Sequence, residues 1–424
     1  MQTGDGGLTT GRDGRAGLRI RALAWWLQFP APLREVASLR LIGSIGAGAV
    51  LYLTPLVFHQ EDFSASSVTL GVAIAALAGT LGRFLSGLLL DRGVNCGIPV
   101  LLACFAALAA DSHLFAARSF PAYAQGQVLM GIAMGLYWPA IELAVPLGSS
   151  SGSRPIPSAR GFALARSADA AGVALGALIG ALLASRGQLR GIYLLDMLCL
   201  STMVLLLLLR RLPDPPASPR DRPNDPAWRQ WLPPLLPVLL ITLLATALPA
   251  LMQSALPLDL VRGGLRRAAM PSGLGALLIG LQLGLLLLLQ WPVGQWLARR
   301  PVATGLALSL ASFALGTATL ALSALSSQGL WLVALAQVPL ALGLAAFLPT
   351  ATEAVIELTP AEHQGVAMAL FSQCFAISGL VAPPLAGLAL DQQGHGSGLW
   401  LLFALLCLPA FQLARRLRPA ASAG

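Results

Sequence analysis

Twelve long apolar runs dominate this sequence and restrict what it can fold into. Each approaches the ~20 residues that a helix needs to cross the ~30 Å hydrocarbon core of a bilayer. The chain is 56% hydrophobic and only 11% charged, well below the charged fraction of a soluble domain. We therefore predict an all-α polytopic membrane protein surrounded by a lipid bilayer. The predicted helices are 38–58, 68–90, 98–116, 122–146, 162–185, 191–209, 235–257, 273–297, 302–325, 330–355, 366–390 and 398–414.

A polar segment divides the runs into two sets of six. Residues 210–234 read RRLPDPPASPRDRPNDPAWRQWLPP, which holds too much proline and charge to span a membrane. We predict that this segment is a solvated linker between two six-helix halves. The predicted organisation is an N-terminal segment at 1–37, a first half at 38–209, the linker at 210–234, a second half at 235–415 and a tail at 416–424.

The distribution of arginine predicts the orientation in the membrane. The chain has no lysine, so its net charge of +9 comes from arginine. With a cytoplasmic N-terminus, eighteen arginines lie in the inner segments and six in the outer loops, as the positive-inside rule requires. We expect both termini in the cytoplasm, a bacterial inner membrane as the location, and no nucleic-acid partner. Outer loop 258–272 departs from the rule with three arginines, and its role stays open.

One short motif occurs twice, at an offset of 207 residues. The first copy holds Gly87, Asp91 and Arg92, and the second holds Gly294, Ala298, Arg299 and Arg300. The duplication predicts two pseudo-symmetric halves, with each copy at the inner end of the second helix of its half. A carboxylate there can face the positive N-terminus of a helix in the opposite half and stabilise a closed inner rim. The alternative is a charged helix end that only marks the membrane boundary.

The longer stretch GRFLSGLLLDRG resembles the signature between helices two and three of the major facilitator superfamily. GVAMALFSQCFAISGLVAPPLAG (365–387) resembles its eleventh helix, RGFALARSADAAGVALGALIG (160–180) its fifth, and GLYWPAIE and FLPTATE the matched ends of helices four and ten. The resemblance spans about residues 38 to 415 and implies a substrate site between the halves. Three features depart from the family pattern: no basic residues follow the first motif, Gln127 replaces an arginine often found in helix four, and Ala177 stands where exporters usually carry proline.

Charged residues inside the predicted spans are candidates for gating or coupling, because intramembrane charges are costly and face a cavity or a partner. Glu142 and Glu353 occupy matched inner ends of helices four and ten. We expect Glu142 to pair with Arg92, and Glu353 with Arg299 or Arg300. The alternative is that both are interfacial carboxylates in water.

A second group of charges lies deeper in the first half. Arg166 and Asp169 are three residues apart on one helix face and can neighbour each other. They form either a static buried pair or a proton or substrate site. Arg83 is expected to pair with Asp169 across helices or to extend toward the inner surface. Asp196 is the next candidate carboxylate, whereas Asp111 is expected to be solvated near the outer boundary.

The resemblance implies a central cavity lined by helices one, four, seven and ten. A mostly apolar wall with few hydrogen-bonding groups suits an amphipathic or lipophilic small molecule. Each of these residues is as consistent with packing as with ligand contact. The polar and aromatic candidates on the four helices are Tyr52, Gln127, Tyr137, Trp138, Gln253 and Gln337.

These features predict a secondary active transporter that works by alternating access, as a proton-coupled exporter of a small organic molecule. An importer of a metabolite is the first alternative, and a non-transporting receptor or assembly factor is the second. We expect no enzyme, since the G-x-S-x-G match at 148–152 follows no strand and no ATP-binding loop occurs. We also expect no metal and no cofactor, the proton gradient as the energy source, and a monomer.

Overall fold

The computed structural model describes residues 26–151, 155–156, 158–214, 228–297, 299–360 and 364–417. Within these ranges the chain forms twelve helices that are long and apolar enough to span a membrane, and no strand. The prediction of an all-α bundle of twelve spans is confirmed. The helices are α1 (Ala31–His59), α2 (Ala65–Asp91), α3 (Gly97–Ala116), α4 (Phe120–Ser150), α5 (Ser158–Ser185), α6 (Gly191–Leu209), α7 (Trp228–Arg262), α8 (Ser272–Leu297), α9 (Val302–Ser323), α10 (Gly329–Glu357), α11 (Gln364–Gln393) and α12 (Ser397–Arg415).

Several helices are longer than the apolar pattern predicts. Helix α1 begins at Ala31, where a proline occupies the first turn, a position that needs no backbone N–H donor. Helix α7 begins at Trp228 and continues through Pro233 and Pro234, which the sequence predicts to be part of the linker. The predicted linker and both predicted terminal segments lie largely outside the described residues, so the domain boundaries remain predictions.

Glycine allows neighbouring helices in the first half to pack backbone against backbone. A Cβ atom added at Gly176 of α5 would lie 1.9 Å from the carbonyl oxygen of Ile45 on α1. A Cβ at Gly131 of α4 would lie 2.1 Å from the carbonyl oxygen of Ala75 on α2. Small residues permit this close approach in membrane bundles. The close contact of α1 with α5 brings together the charged side chains of the candidate site.

The two halves meet through α2 against α11, α5 against α8, and α1 against α7. We call the end where α1 begins the inner face and the opposite end the outer face. At the outer face, a Cβ at Gly273 of α8 would lie 3.3 Å from Ser185 of α5. Near the inner face, a Cβ at Gly87 of α2 or Gly294 of α8 would have no atom within 4 Å. The halves are thus in contact at the outer face and have open space beside these helices at the inner face.

Candidate functional site

Arg40 of α1 is fully buried and holds a carboxylate from each of two neighbouring helices. Its Nε donates to both carboxylate oxygens of Asp169 on α5 at 3.0 Å, and its Nη2 donates to the same carboxylate. Nη2 also lies 3.0 Å from Oε1 of Glu142 on α4. The hydroxyl of Ser44, one turn along α1, donates to Asp169 at 3.1 Å. This geometry ties α1, α4 and α5 together around one guanidinium group.

Arg166 extends this cluster toward the surface. Its Nη2 lies 3.0 Å from Oε1 of Glu142, the same oxygen that contacts Arg40. The exposed fraction of the side chain rises from 0% at Arg40 through 14% at Asp169 and 27% at Glu142 to 46% at Arg166. We call these four residues the Arg40 network. It contains two cations and two carboxylates, and it runs from the packed interior to an accessible surface.

Aromatic side chains border the network on α4. The guanidinium carbon of Arg40 lies 5.4 Å from the centre of the Trp138 ring, within the range of a cation–π contact. Tyr137 packs edge-on against Trp138, with ring centroids 5.4 Å apart. Both rings are partly exposed, so the polar cluster adjoins an aromatic surface that an apolar ligand group can contact.

The structure corrects the partners predicted for two charged residues, Glu142 and Arg83. Glu142 pairs with Arg40 and Arg166 instead of Arg92, because it lies two turns before the end of α4. Arg83 does not pair with Asp169, whose carboxylate is taken by Arg40. Nη1 of Arg83 is buried and has no hydrogen-bond partner in the described part of the chain.

Arg40 itself was missed by the sequence reading. It lies in the first predicted span, close to the expected helix start at 38, where an arginine resembles an interfacial charge. The available signal is its spacing from Ser44, which places both side chains on one face of α1. Because α1 begins at Ala31, Arg40 lies more than two turns inside the helix.

Two acidic residues near the outer face are buried, and one of them was predicted to be solvated. Asp111 of α3 was expected to be solvated, but its exposure is 0% because the side chain is covered where α3 packs against α6. Asp196 of α6 is 4% exposed, and the two residues lie at the same level of the packed helices, since the adjacent Ser112 and Met197 are in contact at 3.7 Å. This pair is separate from the Arg40 network.

The repeated motif is only partly described. Arg92 caps the end of α2 and is exposed, and Gly93 follows with a φ of 76°. The side chain of Asp91 and the whole of Ala298 lie outside the described residues, so the inner latch remains a prediction.

The second copy of the motif places its arginines at the surface. The guanidinium of Arg300 lies 4.9 Å from the centre of the Trp296 ring. Glu353 is exposed and forms no ion pair with Arg299 or Arg300, contrary to expectation. An exposed carboxylate is solvated without such a partner, and an exposed pair contributes only about 0–1 kcal/mol.

The candidate cavity residues fall into different settings. Tyr52 of α1 is buried and lies near Gln253 of α7, across the two halves. Gln127 is buried on α4. Gln337 is fully buried on α10, and its Nε2 donates to the carbonyl of Val333 in the same helix at 2.8 Å. In this conformation the two glutamines on α4 and α10 are packing residues.

Asp391 forms a contact between the halves that the sequence reading did not anticipate. It lies near the end of α11, and its carboxylate accepts hydrogen bonds from the backbone N–H groups of Ala65 at 3.0 Å and Ser66 at 2.8 Å. These residues begin α2 of the other half, where a negative charge is stabilised by the helix dipole. Arg262 holds the same carboxylate at 2.7 Å. We call this contact the outer ionic seam.

The arginine-rich outer loop is explained in part by internal ion pairs. Arg262 belongs to the outer ionic seam. Arg267 is buried, pairs with the buried Asp259 at 3.1 Å and donates to the Ser323 hydroxyl at 2.7 Å. Two of the three arginines of this outer loop therefore have structural partners. Arg262 binds Asp391 of the outer ionic seam, and Arg267 connects Asp259 and Ser323 within the second half.

The twelve-helix fold and the Arg40 network describe the molecule, and comparison with known proteins gives its family. The chain matches the Major Facilitator Superfamily over residues 36–304 and 242–424. It therefore belongs to that family, as the sequence motifs predict. No curated protein sequence gives a significant match.

Solved structures share the fold at low sequence identity. A mutant of the nucleoside transporter NupG has a TM-score of 0.76 at 12% identity, with 91% of this chain and 99% of that chain covered. A POT family transporter in complex with 5-aminolevulinic acid has a TM-score of 0.76 at 12% identity, covering 91% and 95%. A mutant of the peptide transporter POT in complex with alafosfalin has a TM-score of 0.73 at 14% identity, covering 92% and 96%.

Proposed function

We propose that this transporter-family chain exports an amphipathic or lipophilic small organic molecule in exchange for protons. The observation that carries the proposal is the Arg40 network, which joins three helices of one half and runs from a fully buried guanidinium to a half-exposed one. Ionisable groups inside a membrane bundle are costly and mark ion or substrate pathways. The network contains two arginines and two carboxylates, so its net charge is zero. Protonation of one carboxylate would give it a net positive charge.

The proposed switch acts through the carboxylates that compete for Arg40. Protonation of Asp169 or Glu142 removes one negative charge and leaves Arg40 with a single anionic partner. Since the two carboxylates belong to α5 and α4, the position of α1 relative to these helices then changes. The halves of such transporters rock about a site near the bilayer midplane, so a shift of α1 is transmitted to α7, against which it packs.

The proposed substrate class follows from the surface beside the network. Trp138 and Tyr137 provide partly exposed aromatic faces, and Arg166 provides an accessible cation. Apolar pockets with a few placed polar groups bind amphipathic molecules. This combination supports a ligand with an apolar body and one polar group.

Import of a polar metabolite is the second candidate. Two observations favour it: the similar solved structures are of nucleoside and peptide transporters, and Ala177 replaces the proline that exporters of the family usually carry. At 12–14% identity these structures share only their fold with this chain. The direction of transport therefore has to be measured.

The test uses the purified chain in liposomes that contain a trapped pH-sensitive dye. A panel of ethidium, a nucleoside and a dipeptide is applied with an imposed pH gradient and then with an uncoupler. Export by exchange predicts that ethidium moves against proton flow and that the uncoupler abolishes its accumulation. Proton-linked uptake of the nucleoside or dipeptide would establish import instead. The absence of flux for every compound, with the bundle intact, would support a non-transporting role.

Orientation is part of the same proposal, with both termini in the cytoplasm of a bacterial cell. Reporter fusions at Ser218 and Ala420 should report cytoplasm, and a fusion at Gly264 should report the outside. The prediction follows from the excess of arginine in the inner segments. A periplasmic signal at Ser218 would contradict it.

A further inference from the structure

A second acidic site lies between α3 and α6, beside α1 and separate from the Arg40 network. Asp111 of α3 and Asp196 of α6 are 0% and 4% exposed, and they face each other at the same level of two packed helices, since the adjacent Ser112 and Met197 are in contact at 3.7 Å. Both groups are hydrogen-bond acceptors when ionised. If both carboxylates were ionised, they would repel each other strongly, because neither is in contact with water in the buried interior.

No described cation compensates this acidic pair. Neither aspartate forms an ion pair with an arginine or histidine in the described ranges. Arg190, at the outer end of α6, is engaged by Glu61 at 2.9 Å and by the carbonyls that end α3. Neither oxygen of Asp111 accepts a hydrogen bond from a described donor. A buried charge without a partner carries a large desolvation penalty.

The titratable groups around the pair do not supply the missing donor. Tyr193 of α6 donates its hydroxyl to Thr54 of α1 at 3.2 Å, and Tyr123 of α4 donates to the carbonyl of Val68 at 2.7 Å. Arg40, the buried cation of α1, is committed to its own network. Cys104 of α3 and Cys199 of α6 lie near Asp196. A thiol is only a weak hydrogen-bond donor.

We propose that Asp111 and Asp196 bind a single proton between their carboxyl groups and that this pair is a proton-binding site of the transport cycle. The proton comes from water and bonds to one carboxylate oxygen, and the resulting O–H donates to the other carboxylate. The pair then carries one negative charge instead of two. Two carboxyl groups in close contact share a proton because like charges at this range resist joint ionisation.

The site is positioned to affect a cavity helix. A Cβ added at Gly46 of α1 would lie 1.9 Å from Oδ1 of Asp196, so the carboxyl group rests on the backbone of α1. Arg40 lies six residues earlier on the same helix, about 9 Å along its axis. Loss of the shared proton would force the two carboxylates apart and alter the contact with α1. This connection to the transport cycle depends on the proposed function, whereas proton binding by the pair does not.

Infrared difference spectroscopy of the full chain in detergent tests proton binding directly, without any substrate. At neutral pH, wild-type protein should show the C=O band of a protonated carboxyl group, shifted by exchange into heavy water. The band should be lost in Asp111→Asn and in Asp196→Asn, where an amide N–H replaces the shared proton. Asp169→Asn is the matched control and should keep the band.

Three results would overturn the proposal. They are the absence of the band in wild type, its persistence in both single variants, and its loss only in Asp169→Asn. Replacing sodium chloride by an organic-cation chloride provides a further arm. If the wild-type band appears only without sodium, the pair is a sodium site instead. Gel filtration establishes that each variant is folded, and the double variant Asp111→Asn/Asp196→Asn repeats the test with both charges removed.

Liposome flux separates this inference from the proposed function. If the pair serves the transport cycle, Asp111→Asn and Asp196→Asn should lose acceleration of ethidium flux by a pH gradient and keep downhill flux. Gradient-driven flux that is unchanged in both variants would confine the pair to a structural role. A protein that shows the infrared band but moves no compound would refute the proposed function and leave the proton site in place.

Discussion

The contact between the first and fifth helices of each half is an ion pair in one half and a pair of hydroxyl groups in the other. In the first half, α1 and α5 are joined by the ion pair of Arg40 with Asp169. In the second half, the matching helices α7 and α11 are joined by the hydroxyls of Thr246 and Ser378, which lie 2.9 Å apart. At the 207-residue offset, Arg40 and Asp169 correspond to Ala247 and Ala376. The fold is repeated, but the buried charge is not.

This difference shows that the first and fifth helices of a half can pack together without charged side chains. The hydroxyl of Ser378 also donates to the carbonyl of Leu243 at 2.6 Å, so the polar contact in the second half is satisfied and neutral. A buried ion pair pays a desolvation cost that often matches its attraction. The charges of the first half are therefore better explained by a function that requires charge than by the stability of the bundle.

The largest expected effect is at the ion pair. Asp169→Ala leaves Arg40 buried with only Glu142 as a partner, and removing one partner of a buried pair typically costs about 3–5 kcal/mol. Ser378→Ala, at the equivalent helix contact of the second half, should cost about 1–2 kcal/mol, since it removes two neutral hydrogen bonds of about 1 kcal/mol each. Denaturant unfolding in detergent measures both. Equal losses would mean that the two contacts are energetically alike.

A double replacement separates stability from function at the same place. Arg40→Met combined with Asp169→Leu removes both charges and fills the space with apolar groups. Replacing a whole buried pair in this way is often neutral or stabilising. The double variant should therefore be more stable than Asp169→Ala and still be defective in transport. Wild-type transport by the double variant would assign the pair to packing.

The next effect concerns the glycine contacts that bring the charges together. Gly176→Ala places a Cβ 1.9 Å from the carbonyl oxygen of Ile45, and such overpacking typically costs about 1–3 kcal/mol. Gly294→Ala on α8 meets nothing within 4 Å and should cause no loss. Unfolding in detergent compares the two variants. A similar loss at both positions would indicate a general helix effect instead of a contact specific to α1 and α5.

A smaller effect is expected at the outer face, where two contacts between the halves also differ. Asp391→Asn weakens the charged cap on α2, an interaction worth about 0.3–1 kcal/mol. This should shift the equilibrium about two- to fivefold toward separation at the outer face. Ser272→Ala tests the contact between the end of α1 and the start of α8 at the same face, where it removes a hydrogen bond that Gln60 donates at 3.4 Å. Distances between spin labels at Leu70 and Leu388 report the change, and a larger response to Ser272→Ala would reverse the assignment.

The smallest effect concerns the repeated motif at the inner face. Asp91→Asn removes the acid of the first copy and should favour the form open at this face by about 0.3–1 kcal/mol, whereas Ala298→Asp should oppose it. Labelling of a single cysteine at Leu88 measures accessibility. The five native cysteines are buried, and burial raises the pKa of the Cys96 thiol to about 11, so little background reaction is expected. Equal labelling of wild type and Asp91→Asn would reduce the motif to a boundary marker.

The sequence predicts the fold better than the site, for physical reasons. Hydrophobic runs determine the number of spans, and α6 has the predicted bounds 191–209. Ion pairs depend on rotation and depth in neighbouring helices, which periodicity does not determine. Thus the sequence predicts Glu142 and Asp169 as site residues but does not indicate their common partner Arg40. The burial of Asp111 likewise depends on how α3 faces α6.

The central claim is that the charges of the first half couple transport to the proton gradient. The most direct measurement is gradient-driven flux in liposomes of the compound that the panel identifies, for wild type, Asp169→Asn and Ser378→Ala. The predicted result is that Asp169→Asn loses gradient-driven accumulation and keeps downhill movement, while Ser378→Ala retains both. Full accumulation by Asp169→Asn, or its loss in Ser378→Ala alone, would contradict the claim.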